Sequence, residues 1–92
     1  MALLPETEIT AFIEAHSEWS WSDDSITRTY EFGDFSEAMG FVTRLALAAE
    51  KADHHPDLDI RWNKVKVVLS THSEGGITAL DLDLADHADS LA

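Results

Sequence analysis

The sequence predicts an α+β fold of order α-β-β-α-β-β-α, with three helices packed on one face of a four-stranded antiparallel sheet. Three observations predict it. Apolar residues recur with a period of about 3.6 in three segments and alternate with polar residues in four shorter ones. Gly33, Pro56 and Gly75-Gly76 then break the chain between these groups. Helices with one apolar stripe each, beside strands with one apolar face, bury both when stacked as two layers.

The first helix is expected from Pro5 to about Ser17, because Ile9, Phe12 and Ile13 lie at helical spacing and Pro5, Glu6 and Glu8 suit a helix start. Trp19 and Trp21 alternate with serines, Asp23-Asp24-Ser25 reads as a turn, and Ile26 to Phe32 is β-branched and aromatic, so a hairpin follows. Gly33 ends it. Asp34 then caps a long helix, with Glu37 completing a capping-box-like pair. Its apolar stripe is Phe35, Ala38, Met39, Val42, Leu45, Ala46 and Ala49. The helix must stop before Pro56, since the residue preceding proline avoids the α region, and this leaves Asp53, His54 and His55 at its exit.

Beyond Pro56, Leu58, Ile60 and Trp62 alternate with polar residues, and so do Val65, Val67 and Leu69 in a run reaching His72. These are two antiparallel strands with a turn near Asn63. By alternation His72 falls on the polar face with Lys66 and Ser70. After Gly75-Gly76, Thr78 to Asp81 has the form of a second capping box ahead of Leu84, Ala88 and Leu91, a final helix.

Composition narrows the function. The 92 residues fit one domain, and a chain this short buries little core, which favours homo-oligomers. Without cysteine there is neither a disulfide nor a thiolate metal site, and a cytoplasmic location is expected. Met1-Ala2-Leu3-Leu4 is cut off by Pro5 and Glu6, too short for a signal peptide or membrane span, and reads as a tail. A net charge of -12 repels phosphate backbones and anionic membranes, so neither nucleic acid nor membrane is an expected partner.

Chemistry points to the histidines. His54, His55 and His72 fall where backbone elements end, and imidazole, with an unperturbed pKa of about 6.5, both gives and takes protons near neutrality. Together with Asp81 they suit proton transfer, while Ser70 and Thr71 offer hydrogen bonds to a flat heterocycle.

The run Ala49-Glu50-Lys51-Ala52-Asp53-His54-His55-Pro56, then Trp62-Asn63-Lys64-Val65, Leu69-Ser70-Thr71-His72, and Gly76-Ile77-Thr78 with Asp81, closely resembles the pterin-4a-carbinolamine dehydratase family. The helix text from Asp34 to Arg44 is similar too, so the resemblance spans residues 19–92. It implies the same three helices on a four-stranded sheet, a homodimer or homotetramer, and no metal or organic cofactor. It implies dehydration of a 4a-hydroxytetrahydropterin, formed when aromatic amino acid hydroxylases use tetrahydropterin, to quinonoid dihydropterin for recycling. Position by position, His54, His55 and His72 match the active-site histidines and Asp81 an active-site carboxylate. Asp53, His54, His55, Ser70, Thr71 and His72 match the pterin-contacting segments. On this basis His54→Ala or His72→Ala should slow turnover without unfolding the domain. The chain departs from the family at Leu58, where many members carry an aromatic residue.

Plainer readings stand beside these. A His pair before proline can be a solvated helix end, Asp81 can serve only as a helix cap, and three histidines with a carboxylate could bind zinc. Glu50 is a further contact by nearness to the histidines. Trp19, Trp21 and Trp62 read as strand packing residues, and His16 and His87 as solvated. Because the family also helps a transcription factor dimerise, a protein-interaction module with little dehydratase activity is the alternative function.

Overall fold

A computed structural model of the chain describes residues 2–92. Its elements are α1 (Glu6–Ala15), β1 (Ser20–Ser22), β2 (Ser25–Glu31), α2 (Phe35–Ala52), β3 (Asp57–Arg61), β4 (Lys64–Leu69), a 3-10 turn (His72–Glu74) and α3 (Ala79–Leu91). The sheet runs β1-β2-β4-β3, every pair antiparallel, as the α+β reading expected. Two hairpins thus meet along β2 and β4 at its centre.

Register puts Ile26 opposite Leu69 and Tyr30 opposite Val65, so these residues share a face with Val67. All five are buried in one cluster with Ile9 of α1, Phe41 and Leu45 of α2, and Leu84 and Ala88 of α3. Residues of the other parity, Thr29, Glu31, Lys64 and Lys66, are exposed. All three helices therefore cover one face and leave the other to solvent.

The structure re-centres the stripe of α2. Phe41, left out of the predicted stripe, is fully buried and lies 4.6 Å from the Tyr30 ring and 5.2 Å from that of Phe32. Ala38, Phe41, Leu45 and Ala49 face the sheet, whereas Phe35 and Ala46 are exposed. The Asp34 carboxylate accepts the Glu37 amide at 2.8 Å, and Glu37 accepts the Gly33 amide at 3.2 Å, one residue before the cap.

Three other expectations need correction. Trp62 is no packing residue: it stands in the β3–β4 turn with φ 51 and 68% exposed, while Asn63 pins that turn to β2 by donating to the Phe32 carbonyl at 2.8 Å. His72 does not end a strand. The last ladder partner of β4 is Leu69, facing Ile26, so alternation stops there and His72 opens the 3-10 turn. The expected tail is partly docked. Met1 lies outside the described residues, but the Leu4 amide donates to the Ile77 carbonyl at 2.9 Å and its side chain packs on the core.

At the far end of α3, Asp89 binds the helix to the sheet. Its carboxylate accepts from Trp19 Nε1 at 3.1 Å, from Arg28 at 3.0 Å and from the Tyr30 hydroxyl. Burial, and then the Asp89 carboxylate, push the Tyr30 phenol well above the ordinary tyrosine range. A group whose pKa is raised on folding stabilises the fold below its unfolded value, about 10 for tyrosine, and loses that contribution as pH rises through the folded value. Tyr30 is the sole tyrosine of the sequence. Phenolate absorbance should consequently appear only above about pH 10, in one transition with loss of helical circular dichroism. Phenolate formation at the ordinary tyrosine pH with the helices intact would contradict this packing.

Candidate active site

The exit of α2 places the first two histidines. Asp53 takes the left-handed conformation, φ 52, that closes a helix, and the His54 amide returns to the Ala49 carbonyl at 3.1 Å. This turn swings His54 inward, 9% exposed, and leaves His55 outside. The third histidine comes from the 3-10 turn that follows the central strand β4. There the Thr71 amide donates to the Gly76 carbonyl at 2.9 Å, and Gly75, φ 74, supplies the left-handed residue that lets the loop close. Ser70, Thr71 and His72 are presented at its mouth.

A cavity of about 250 Å³ lies between these two segments. Asp53, His54, His55, Ser70, Thr71 and His72 all line it, joined by Ser73 and Leu80, which sequence reasoning passed over. A wider hollow of about 620 Å³ runs along α2, and among the described residues its titratable lining groups are His87, Arg44 and Lys51.

Asp81 lies beneath the cavity, 0% exposed. Its Oδ1 is 2.6 Å from His54 Nε2, while Oδ2 accepts the Thr71 hydroxyl at 2.7 Å and the Thr78 amide at 2.9 Å. The last contact belongs to the capping box of α3. Hence Asp81 is both helix cap and histidine partner. A carboxylate on Nε2 selects the tautomer with the proton there and fixes the ring plane, so that Nδ1 is the nitrogen free to exchange a proton. The negative end of this pair also sits at the favourable end of the α3 dipole.

The other histidines are held loosely. His55 Nε2 lies 2.7 Å from Glu50 Oε1, with both side chains more than half exposed. His72 Nε2 is 3.9 Å from Asp57 Oδ2, its side chain 75% exposed. Exposed pairs of this kind are worth about 0–1 kcal/mol, so both rings can turn toward a ligand at little cost. Among the described residues the Ser70 hydroxyl is buried without a protein partner, a polar atom left over on the cavity wall. Asp57 is a charged neighbour that the strand pattern alone did not single out. Among the described residues no three His, Asp or Glu converge closely enough to hold a metal ion. The chemistry that this arrangement can perform is proton transfer to and from a small, flat, polar molecule.

Comparison with known proteins identifies relatives of the whole chain. A family model described as pterin 4 alpha carbinolamine dehydratase matches residues 2–91, extending through α1 the resemblance read from residues 19–92. A Nocardia farcinica protein with the provisional name pterin-4-alpha-carbinolamine dehydratase is 47% identical over 90 residues, covering 98% of this chain and 95% of its own. A solved structure from Brucella melitensis, described as a transcriptional coactivator/pterin dehydratase, superposes with a TM-score of 0.93 at 42% identity over 98% of both chains. A pterin dehydratase-like protein described as a RuBisCO assembly factor in the alpha-carboxysome shares the fold, with a TM-score of 0.68 at 19% identity over 80% of this chain and 86% of its own.

Proposed function

The chain belongs to the pterin 4 alpha carbinolamine dehydratase family, and from that premise we propose that it removes water from a 4a-hydroxytetrahydropterin to give quinonoid dihydropterin. The observation that carries the proposal is the His54–Asp81 pair, 2.6 Å apart, at the floor of a cavity that His55 and His72 also line.

Dehydration needs a proton delivered to the departing 4a-hydroxyl and another removed from N5. In this reading His54 takes the N5 proton, because Asp81 offsets the positive charge that arises on the ring. His72, open to solvent, gives its proton to the hydroxyl as water leaves and is recharged between turnovers. His55 and the Asp53 backbone hold one edge of the pterin, and Ser70 and Thr71 the other. The reaction requires no cofactor and serves tetrahydropterin recycling beside an aromatic amino acid hydroxylase in the cytoplasm, with the chain acting as a homodimer or homotetramer. General acid-base assistance of this kind is worth roughly 10²–10⁴-fold.

The test is a quenched assay of 4a-hydroxytetrahydropterin loss against the spontaneous rate, with purified protein. Acceleration is expected. A rate equal to the spontaneous one would overturn the proposal and favour an interaction role, to which the coactivator description of the Brucella relative points. In the same assay His72→Ala should lower kcat by about 10²-fold or more. Its exposure predicts an unchanged unfolding midpoint, since surface substitutions usually stay within about 0.5 kcal/mol. A wild-type kcat would remove His72 from the mechanism.

A further inference from the structure

Proton counting fixes the order of donors around Asp81. As an ionised carboxylate it only accepts, taking the Thr78 amide and the Thr71 hydroxyl on Oδ2. A threonine hydroxyl has a single proton. With that proton on Asp81, the Thr71 oxygen can only accept from Thr78, whose hydroxyl lies 2.8 Å away. The Thr78 oxygen in turn accepts the Leu80 amide at 3.3 Å. One direction of donation thus runs from the first turn of α3 through two hydroxyls to Oδ2, and Oδ1 is left to His54 Nε2. Thr78 and Asp81 are 0% exposed and Thr71, on the cavity wall, is 5% exposed, so the chain is shielded from bulk solvent.

We propose that Thr78 is a positioning residue, whose hydroxyl, by donating to Thr71, holds the Thr71–Asp81 bond and with it the orientation of the carboxylate that meets His54 Nε2. Helix capping asks less of this side chain. The cap uses the Thr78 oxygen as an acceptor for the Leu80 amide, whereas positioning uses its proton as a donor to Thr71. Thr78 does not line the cavity, so its effect on the reaction must pass through the other residues. The catalytic consequence rests on the reading that His54 acts on the pterin; the effect on the ring itself does not.

Thr78→Val keeps the shape of the side chain and removes the hydroxyl. Its kcat for dehydration should fall on the order of 10-fold with KM unchanged, as for the loss of a group that orients another. Thr78→Ser, which retains donor and acceptor, should restore it. The nitrogen-15 resonances of the His54 ring report the Nε2–carboxylate bond without turnover: wild type and Thr78→Ser should share one set of shifts, and Thr78→Val should show displaced ones. If wild type fails to accelerate dehydration while Thr78→Val still changes the ring signals, the positioning role stands and the dehydratase reading falls. If Thr78→Val keeps the wild-type ring signals, or loses rate only in proportion to its unfolded fraction, the positioning role is overturned. A double-mutant cycle sharpens the distinction. In a Thr71→Val background the relay is already cut, so adding Thr78→Val should change the His54 signals no further; an additive change would contradict the relay. Should Thr78→Val not fold, the wild-type protein decides, because both threonine hydroxyl protons must exchange slowly with water, and exchange at the solvent rate would sink the proposal.

Discussion

Replacing His54 by glutamine should slow dehydration by about 10²–10⁴-fold while the domain stays folded. The choice of glutamine follows from what lies under the ring. Asp81 Oδ1 is buried, and His54 Nε2 is its partner. A glutamine amide can place a donor near the same point, so the carboxylate remains satisfied while the proton-exchanging nitrogen is lost. His54→Ala is a less clean test. It strands Oδ1 without a donor, which costs about 1–3 kcal/mol on top of any catalytic effect. The expectation that either histidine can be truncated without structural penalty is therefore kept for exposed His72 and revised for His54. Turnover and the urea midpoint, measured on both His54 variants, separate the two effects. A glutamine variant with wild-type kcat would show that the His54 imidazole exchanges no proton with the substrate.

The second large effect is expected from Asp81→Asn. An amide has the size of the carboxylate but presents one acceptor and one donor. If its oxygen faces His54, its NH₂ points at the Thr78 amide and the Thr71 hydroxyl, which are both donors. If it is flipped, the NH₂ faces Nε2 and forces that nitrogen to be the acceptor, reversing the tautomer. Either way a buried bond is lost, at about 1–3 kcal/mol. The wrong tautomer should also lower kcat by about 10²–10⁴-fold. Loss of stability with an unchanged kcat would reduce Asp81 to a helix cap. Loss of both is the predicted outcome, because one carboxylate caps α3 and partners His54.

Much of this was legible in the sequence because periodicity reports which face of an element is buried. Ala38, Leu45 and Ala49 on α2, and Val65, Val67 and Leu69 on β4, mark their buried faces through that pattern. The misreadings occurred where periodicity carries no information. Phe41 is the exception, since it lies three residues after Ala38 and four before Leu45, on the buried face itself, and the expected stripe passed over it. Trp62 and His72 extend an alternating pattern past the last ladder pair, into a hairpin turn and a 3-10 turn where alternation has no meaning. The site segments were legible as motifs, whereas their mutual geometry depended on long-range contacts. The His54–Asp81 bond joins residues 27 apart and the Tyr30–Asp89 bond residues 59 apart. One signal was available for Asp89: a carboxylate in the last turn of a helix opposes the dipole and needs partners elsewhere to offset this. Glu50 was anticipated as a contact, and it reaches His55 from the preceding helical turn.

The central claim is that imidazoles around one cavity carry the proton transfers. The measurement that tests it most directly is the rate of 4a-hydroxytetrahydropterin loss with the His54→Gln/His72→Ala double variant, beside wild type and the spontaneous reaction. The account predicts acceleration by wild type, and a double variant that is folded, still binds a pterin and works at the spontaneous rate. A folded double variant that accelerates the reaction as wild type does would contradict it.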